Sequence, residues 1–475
     1  MKSTSQQLWS APATQGSKRS TMTLQDGARV AVLGGGPAGS FFSSALLEYA
    51  NLRGLRLSVD VYEPREFTCA GPKGCNMCGG IISESLVQNL AVDGIPLPGK
   101  VVQRGIDSYL MHMDRQAVRI ATPQDEKRIA TVHRGAGPRD LEHAVWTSFD
   151  GHLQELSKQR GVTIVQDRVV ALSREDGCIK VQSKSGHEGS YDLLAVASGV
   201  NSTAHRLIEE LEPSYHPPRS VKTSIREYRL GTETIDRHLG SSMHVFLLDI
   251  PGLDFAAMIP KGEYVTMCLL GHKIDKGLLD EFLSSPELRS CMPEDWDPED
   301  FSCQCSPSMP IIGASPVCMD RIVFIGDCGV SRLYKDGIGA AFRTAKAAAR
   351  TAVFHGVSQQ QFTRHYEPVC RSIARDNLVG KFIFWVTHLI QRSYLTRAVI
   401  LHAVNEEQSK DGPPPRMSSV LWDMFTGSAD YLEIFRRTLH PAFLARLAHS
   451  AAIVIPPTML NRTRNNSRKS MNSQR

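Results

Sequence analysis

No stretch of this sequence approaches the roughly 20 consecutive apolar residues that cross a bilayer as a helix. The most apolar segment, Phe382–Ile390, is short and contains Thr387 and His388. The N-terminal segment lacks the apolar core of a secretory signal. Together these absences lead to the expectation of a cytoplasmic protein. Charge of one sign is also scarce. The net charge is +5 over 475 residues, too small to argue for nucleic acid as a partner. Acids are missing only at the two ends. Before Asp26 the charged residues are Lys2, Lys18 and Arg19, and Asn461–Arg475 has five basic residues and no acid. Such ends read as solvated, flexible segments, with attraction to an anionic membrane surface as the alternative. The eleven cysteines are odd in number and lack the spacing of a secreted disulfide framework, so reduced thiols are expected. No internal repeat is present, which leaves repeat architectures out. What remains, 41% hydrophobic and 22% charged, is an ordinary globular composition with enough chain for two or three domains.

Against this background one pattern stands out. Residues 30–39 read Val-Ala-Val-Leu-Gly-Gly-Gly-Pro-Ala-Gly, and Glu63 closes the strand-like run Leu57–Tyr62. An apolar strand thus runs into Gly34-x-Gly36-x-x-Gly39, a helix follows, and an acid ends the next strand. That is the dinucleotide-binding fingerprint in its required context. Gly34 permits the tight turn, Gly36 lets the backbone approach a pyrophosphate, and Gly39 lets the helix pack close to the sheet. Pro37 and Ala38 open the helix, whose free N–H groups suit phosphate oxygens. Glu63 can accept hydrogen bonds from a ribose.

Further along, Ser148–Gln159 reads as a helix with Ser148 as N-cap. Val162–Val165, Val169–Leu172, Ile179–Gln182 and Asp192–Ala197 read as strands. From about Tyr215 to Val317 short strands and turns dominate, among them Met243–Leu248, Phe255–Ile259 and Val265–Leu270. A second apolar strand, Ile322–Ile325, meets Gly326-Asp327, and Gly337-Ile338-Gly339 then opens a helix that Gly356 stops. The remainder, about 357–455, is mostly helical. Its apolar faces include Phe435, Leu439, Phe443, Leu444 and Leu447, suited to core packing, a lid, or contact with lipid.

Three separated pieces resemble the p-hydroxybenzoate hydroxylase-like flavoproteins. They are Gly34–Gly39 with Glu63 and Arg65; Ala197-Ser198-Gly199-Val200-Asn201-Ser202 with Arg206; and Gly326-Asp327 followed by Gly337-Ile338-Gly339. The resemblance implies FAD, with Asp327 on the ribityl chain and the Gly337–Gly339 helix start at the flavin. It also implies Arg134 reaching the phosphates. Only one fingerprint is present, so NADPH or NADH would serve as a visiting electron donor. Within that superfamily Cys78-Gly79-Gly80 and Phe255-x-x-x-Ile259-Pro260-Lys261-Gly262 are similar to geranylgeranyl reductases. Phe255 and Ala257 stand where flavin halogenases have tryptophans, and Ser198 replaces the aspartate of the hydroxylase motif.

The expectation is therefore an α/β (α+β) chain: a split Rossmann-type FAD-binding domain, an inserted mostly-β substrate domain and a helical C-terminal region. The expected layout is a flexible leader (1–27), FAD-binding segments 28–100, 133–214 and 318–356, substrate segments 101–132 and 215–317, a helical region 357–455 and a basic tail 456–475. Expected cofactor contacts are Gly34, Gly36, Pro37, Ala38, Gly39, Glu63, Arg65, Gly79, Gly80, Arg134, Gly326, Asp327, Gly337, Ile338 and Gly339. No metal site is expected. The resemblance implies reduction of isoprenoid C=C bonds, with Cys78 and Tyr334 as candidate catalytic residues and Lys335 as another residue facing the flavin. A flavin monooxygenase and a flavoprotein dehydrogenase passing electrons to a quinone are the alternatives. Expected partners are a hydrophobic or lipid substrate, with an electron-donor protein and peripheral membrane contact left open. Cys69, Cys75 and Cys78, with Cys303 and Cys305, fit plain thiols, a redox dithiol or a metal cluster.

Overall fold

The structure is a computed structural model, and it describes residues 22–75, 78–113, 116–122, 129–139, 147–409 and 412–455. Strand β1 (Arg29–Leu33) is buried from Val30 onward. Being apolar on both faces, it belongs inside a sheet covered from both sides. It pairs in parallel with β2 (Ser58–Tyr62) and with the strand Leu193–Val196. The six-stranded sheet runs Cys318–Met319, Ile322–Phe324, Leu193–Val196, β1, β2, Thr163–Val165, with the edge strand Cys318–Met319 antiparallel. Helix α1 (Pro37–Leu52) connects β1 to β2. Pro37 lies in its first turn, where a missing N–H removes no bond. It packs on α2 (Gly337–Phe354), Phe41 meeting Phe342 edge-on with ring centres 5.2 Å apart. The strands of this sheet come from widely separated parts of the chain, which is the split arrangement expected.

A seven-stranded sheet forms the second body. Its order is Cys303–Cys305, Ser224–Arg229, Tyr264–Gly271, Leu253–Lys261, Ser242–Phe246, Ser108–Met113, Gln116–Ala121. Its strands Leu253–Lys261 and Tyr264–Gly271 are buried along their whole length. The period of two sends Phe255, Ala257 and Ile259 into one core and Ala256 and Met258 into another. Cys268 and Leu270 join the first face, and Val265, Met267 and Leu269 the second. The C-terminal helices cover the first face. They include α3 (Glu367–Arg392), Tyr394–Glu407, Arg416–Thr426 and α4 (Tyr431–Thr438). Phe384, Trp422 and Phe425 share its core.

Two expected boundaries are corrected. Residues 22–27 are not a free leader. Leu24 is inserted in the core, Gly27 N–H donates to Arg56 O, and Val357 N–H donates to Met22 O. One apolar residue in a polar stretch suffices to pin the segment. The rest of the expected leader and the tail 456–475 lie outside the described residues. The expected substrate segment 101–132 divides between two sheets. Val102–Ile106 and Ile129–Val132 pair with each other and with Ile81–Ile82 in a separate three-stranded sheet, while Ser108–Met113 and Gln116–Ala121 join the seven-stranded one. The switch occurs at Asp107, whose N–H donates to Ser241 O and whose carbonyl accepts from Thr122 N–H.

Candidate active site

β1 feeds directly into the turn Gly34–Gly36. Gly34 has φ +103°, and a Cβ there would lie 2.6 Å from Ala197 O. A Cβ on Gly39 would lie 1.9 Å from Gly34 O. A side chain at either position would force α1 away from the sheet, so both glycines hold the start of α1 at the cavity. The first N–H groups of a helix have no intrahelical partners and suit an anion. Beyond β2, the Glu63 carboxylate accepts from Gly35 N–H at 2.8 Å and from Arg65 N–H at 2.9 Å. Burial raises its carboxyl above the usual range. Each of its oxygens retains acceptor capacity. Gly34, Gly36, Pro37, Ala38, Glu63 and Arg65 all line one cavity of about 870 Å³.

The adjoining wall comes from the third piece. Gly326 has φ +66°, and a Cβ on it would lie 3.0 Å from Ala38 Cβ and 3.3 Å from Ala341 Cβ. It therefore lies behind the cavity and seats α2 against α1. Asp327 follows it, inside the cavity wall. Burial raises its carboxyl pKa, while a hydrogen bond from Ser331 and the nearby Arg134 oppose that rise. The Arg134 guanidinium is committed to a buried fork: Nε donates to Asp150 Oδ1 at 2.6 Å and Nη2 to Asp150 Oδ2 at 2.8 Å. It lines the cavity beside Cys78 and Asp327 as a tethered cation. Gly337 and Ile338 also line the cavity, and Gly339 stands behind them, where a Cβ would lie 2.3 Å from Asp336 Oδ2. Ser83 Oγ donates to Asp336 Oδ1 at 2.7 Å, tying the segment after Gly79-Gly80 to the start of α2.

Between these walls the cavity continues into an apolar chamber formed by Met243, Phe255, Ala257, Ile259, Leu270 and Phe425. Lys335 points into it, with Nζ 4.2 Å from the Phe255 ring centre and 5.8 Å from that of Phe425. Burial brings its pKa down to about 7. Its two neighbours both hold a left-handed backbone, Tyr334 at φ +60° and Asp336 at φ +51°. Each such non-glycine residue costs on the order of 1–3 kcal/mol, and these conformations cluster at functional sites. The strained turn thus presents Lys335 to the chamber. Tyr334 also lines the cavity, its ring edge-on to Phe384 at 4.9 Å.

Cys69, Cys78, Gly79 and Gly80 line the cavity as well. The two cysteine clusters face one another: the Cys305 thiol, pushed up to about 12 by burial, has Cys75, Cys303 and Cys78 as neighbours. All eleven cysteines are free thiols. Among the described residues the groupings with metal-ligand spacing are His112–His244–Cys291 and Asp254–His272–His388, neither of which includes the two clusters.

The sequence motifs did not bring out Asp150, which fixes Arg134, or the poise of Lys335, named there only as a neighbour of the flavin. Both depend on burial created by distant segments. The Ser198 hydroxyl, in the altered hydroxylase motif, is buried at the cavity with no hydrogen-bond partner. A polar orphan there, two glycines that exclude any Cβ, a buried acid with spare acceptor capacity and two helix starts on one cavity fit a dinucleotide such as FAD.

No family profile and no curated protein matches the chain. Solved structures do. A flavoprotein/dehydrogenase from Cytophaga hutchinsonii aligns with TM-score 0.57 at 16% identity, over 85% of this chain and 93% of its own. The p-nitrophenol 4-monooxygenase PnpA from Pseudomonas putida DLL-E4 aligns with TM-score 0.58 at 13% identity, over 86% and 99%. HpxO from Klebsiella pneumoniae, solved with FAD and uric acid, aligns with TM-score 0.58 at 14% identity, over 86% and 99%. The chain thus has the fold shared by FAD-dependent monooxygenases and flavoprotein dehydrogenases.

Proposed function

We propose that this chain is a FAD-dependent oxidoreductase that reduces C=C bonds of a hydrophobic, isoprenoid substrate. The observation that carries the reading is Lys335, poised near neutrality in an apolar chamber continuous with the dinucleotide cradle. Gly34–Gly39 and the start of α1 would hold the pyrophosphate, Glu63 a ribose, and Asp327 with the start of α2 the ribityl chain and ring. When bound, FAD supplies a hydride equivalent, and NADPH or NADH is the visiting source of electrons.

An isolated alkene develops little charge that fixed dipoles could stabilise. The chain's contribution is then positioning, water exclusion and a proton. Phe255, Ile259, Leu270 and Phe425 grip an apolar chain and keep water out. Lys335 Nζ, which faces the Phe255 and Phe425 rings, would supply the proton for the second carbon, and at a pKa of about 7 it exchanges that proton readily. Tyr334 and Cys78 line the same cavity and would serve as further polar contacts.

The test is anaerobic. Purified holoenzyme with reduced flavin is mixed with a geranylgeranyl substrate in deuterated water. The expected product gains two deuterium atoms per reduced bond, because the transferable N–H of the reduced flavin and the donated proton both exchange with solvent. Flavin that stays reduced with unchanged substrate excludes the reading. A second reading, a flavin monooxygenase, is favoured by the fold likeness to PnpA and HpxO. Substrate-linked oxygen uptake with an oxygenated product would select it.

A further inference from the structure

We propose that α3 and α4 form an interfacial docking surface for an anionic lipid bilayer. Large apolar side chains exposed elsewhere on the molecule are scattered, as in Leu52, Val92 and Val170. On α3 they fall in line. Leu378, Phe382, Trp385 and Leu389 are 64%, 47%, 56% and 47% exposed, at spacings of four, three and four that share one helix face. Phe382 meets Trp385 with ring centres 5.7 Å apart and reaches Phe435 of α4 at 5.6 Å. Leu432 on α4 and Leu439 just past its end, also exposed, extend the surface. Contiguous exposed apolar surface of this kind marks an interaction site rather than ordinary surface.

The flanking charges select the occupant. Arg375, Lys381 and Arg392 lie on the exposed side of α3, and Arg436 on that of α4. Among the described residues none of the four makes an ion pair. The acids of α3 do not oppose them: Glu367 is paired with Arg371, and Asp376 turns inward to accept from the Tyr431 and Leu432 N–H groups. An aromatic stripe with a tryptophan, bordered by four cations outside ion pairs and by two exposed acids, Asp249 beside Trp385 and Glu433 paired with Arg437, keeps a net positive border and matches the boundary between headgroups and acyl chains of an anionic leaflet. The sequence beyond, Asn461–Arg475, adds five basic residues and no acid.

The mode is contact with the interface rather than crossing. Among the described residues no single helix is long and apolar enough to span. The pair Tyr431–Thr438 and Pro441–Ile455 passes by length and composition together, but it is bent by 62° and contains Glu433, Arg436, Arg437 and Arg446. The inference stands on this surface alone and does not depend on what the cavity reduces.

The experiment is vesicle flotation of the full chain with phosphatidylglycerol vesicles and with phosphatidylcholine vesicles. Bound flavin and the melting temperature are measured on the same samples, so failure of the cofactor reading shows separately. Flotation with the anionic vesicles, weakened by salt and reduced about tenfold in Phe382→Glu/Trp385→Glu, is expected. Lys381→Glu/Arg392→Glu should also weaken it while leaving the apolar stripe intact. No flotation with phosphatidylglycerol, or flotation unchanged in the aromatic pair variant, overturns the proposal. A self-association in analytical ultracentrifugation that the same variant abolishes, without vesicle binding, overturns it in favour of a second copy of the chain. Resistance to an alkaline carbonate wash overturns the interfacial mode.

Discussion

The two halves of the cavity are built on different principles. The dinucleotide side is made of backbone: a turn at Gly34, helix starts at Pro37 and Gly337, and the Gly326 contact that seats one helix on the other. The chamber side is made of side chains projected by the seven-stranded sheet and the C-terminal helices, with Phe255, Ile259, Leu270 and Phe425 meeting from separate segments. The backbone site tolerates almost no addition at Gly34 and Gly39, because the nearest atoms there are main chain. Side-chain sites tolerate exchange of volume and shape. Disturbing the first half should therefore abolish the holoenzyme, whereas disturbing the second should change what it does.

The largest effect is expected at Gly39. In Gly39→Ala the new methyl would lie 1.9 Å from Gly34 O, a main-chain atom that cannot swing away. We expect loss of about 3 kcal/mol or more of stability and purification without flavin. Chemical denaturation and the visible spectrum check both. Stoichiometric flavin in this variant would sink the assignment of the loop.

Lys335 belongs to the other half and should behave differently. Lys335→Met keeps most of the volume, so flavin content should hold while the rate of product formation falls about a hundredfold. In the parent protein that rate should fall as pH rises through about 7, because the group loses its proton there. The stability effect has the opposite slope. An unfolded lysine keeps its proton to about 10.4. Between about 7 and that value the unfolded chain binds more protons, so this residue makes stability rise with pH. In Lys335→Met that rise should disappear from denaturation curves taken across the window.

Phe255→Ala probes the coupling of shape and charge within the chamber. Removing the ring 4.2 Å from Nζ opens the wall to water and weakens the burial that lowers the lysine pKa. The expected outcome is a KM for the substrate about tenfold higher, with a pH profile shifted upward. A raised KM with an unmoved profile would show that Phe255 grips substrate without tuning Lys335.

This contrast also explains what could be read in advance. Gly34, Gly36 and Gly39, Glu63 and Gly326-Asp327 stand at fixed spacings because a backbone site needs glycine where main chains approach. The split sheet followed from where those motifs lie. Lys335 was legible only as a neighbour of Gly337. Its poise depends on Phe255 and Phe425, and no short-range pattern joins residues that far apart. Asp150 escaped for the same reason: in sequence it is an ordinary acid in the first turn of a helix, and only the fold turns it toward Arg134. Leu24 shows the converse. Composition assigned it to a loose end, and a single buried side chain overrides composition.

The smallest expected effect is a control for the whole contrast, at a glycine far from both halves. Gly54 ends α1 at φ +68°, and a Cβ there meets nothing within 4 Å. Gly54→Ala then carries only the backbone penalty of a left-handed residue, about 1 kcal/mol. Flavin content, KM and the pH profile should match those of the parent. If Gly54→Ala lost flavin as Gly39→Ala does, the sensitivity of the loop would reflect general fragility of α1. If only stability changes, the loss at Gly39 is specific to the close approach of the Gly34 backbone, because Gly54→Ala adds the same methyl just beyond the same helix, where it meets nothing and carries a backbone penalty of its own.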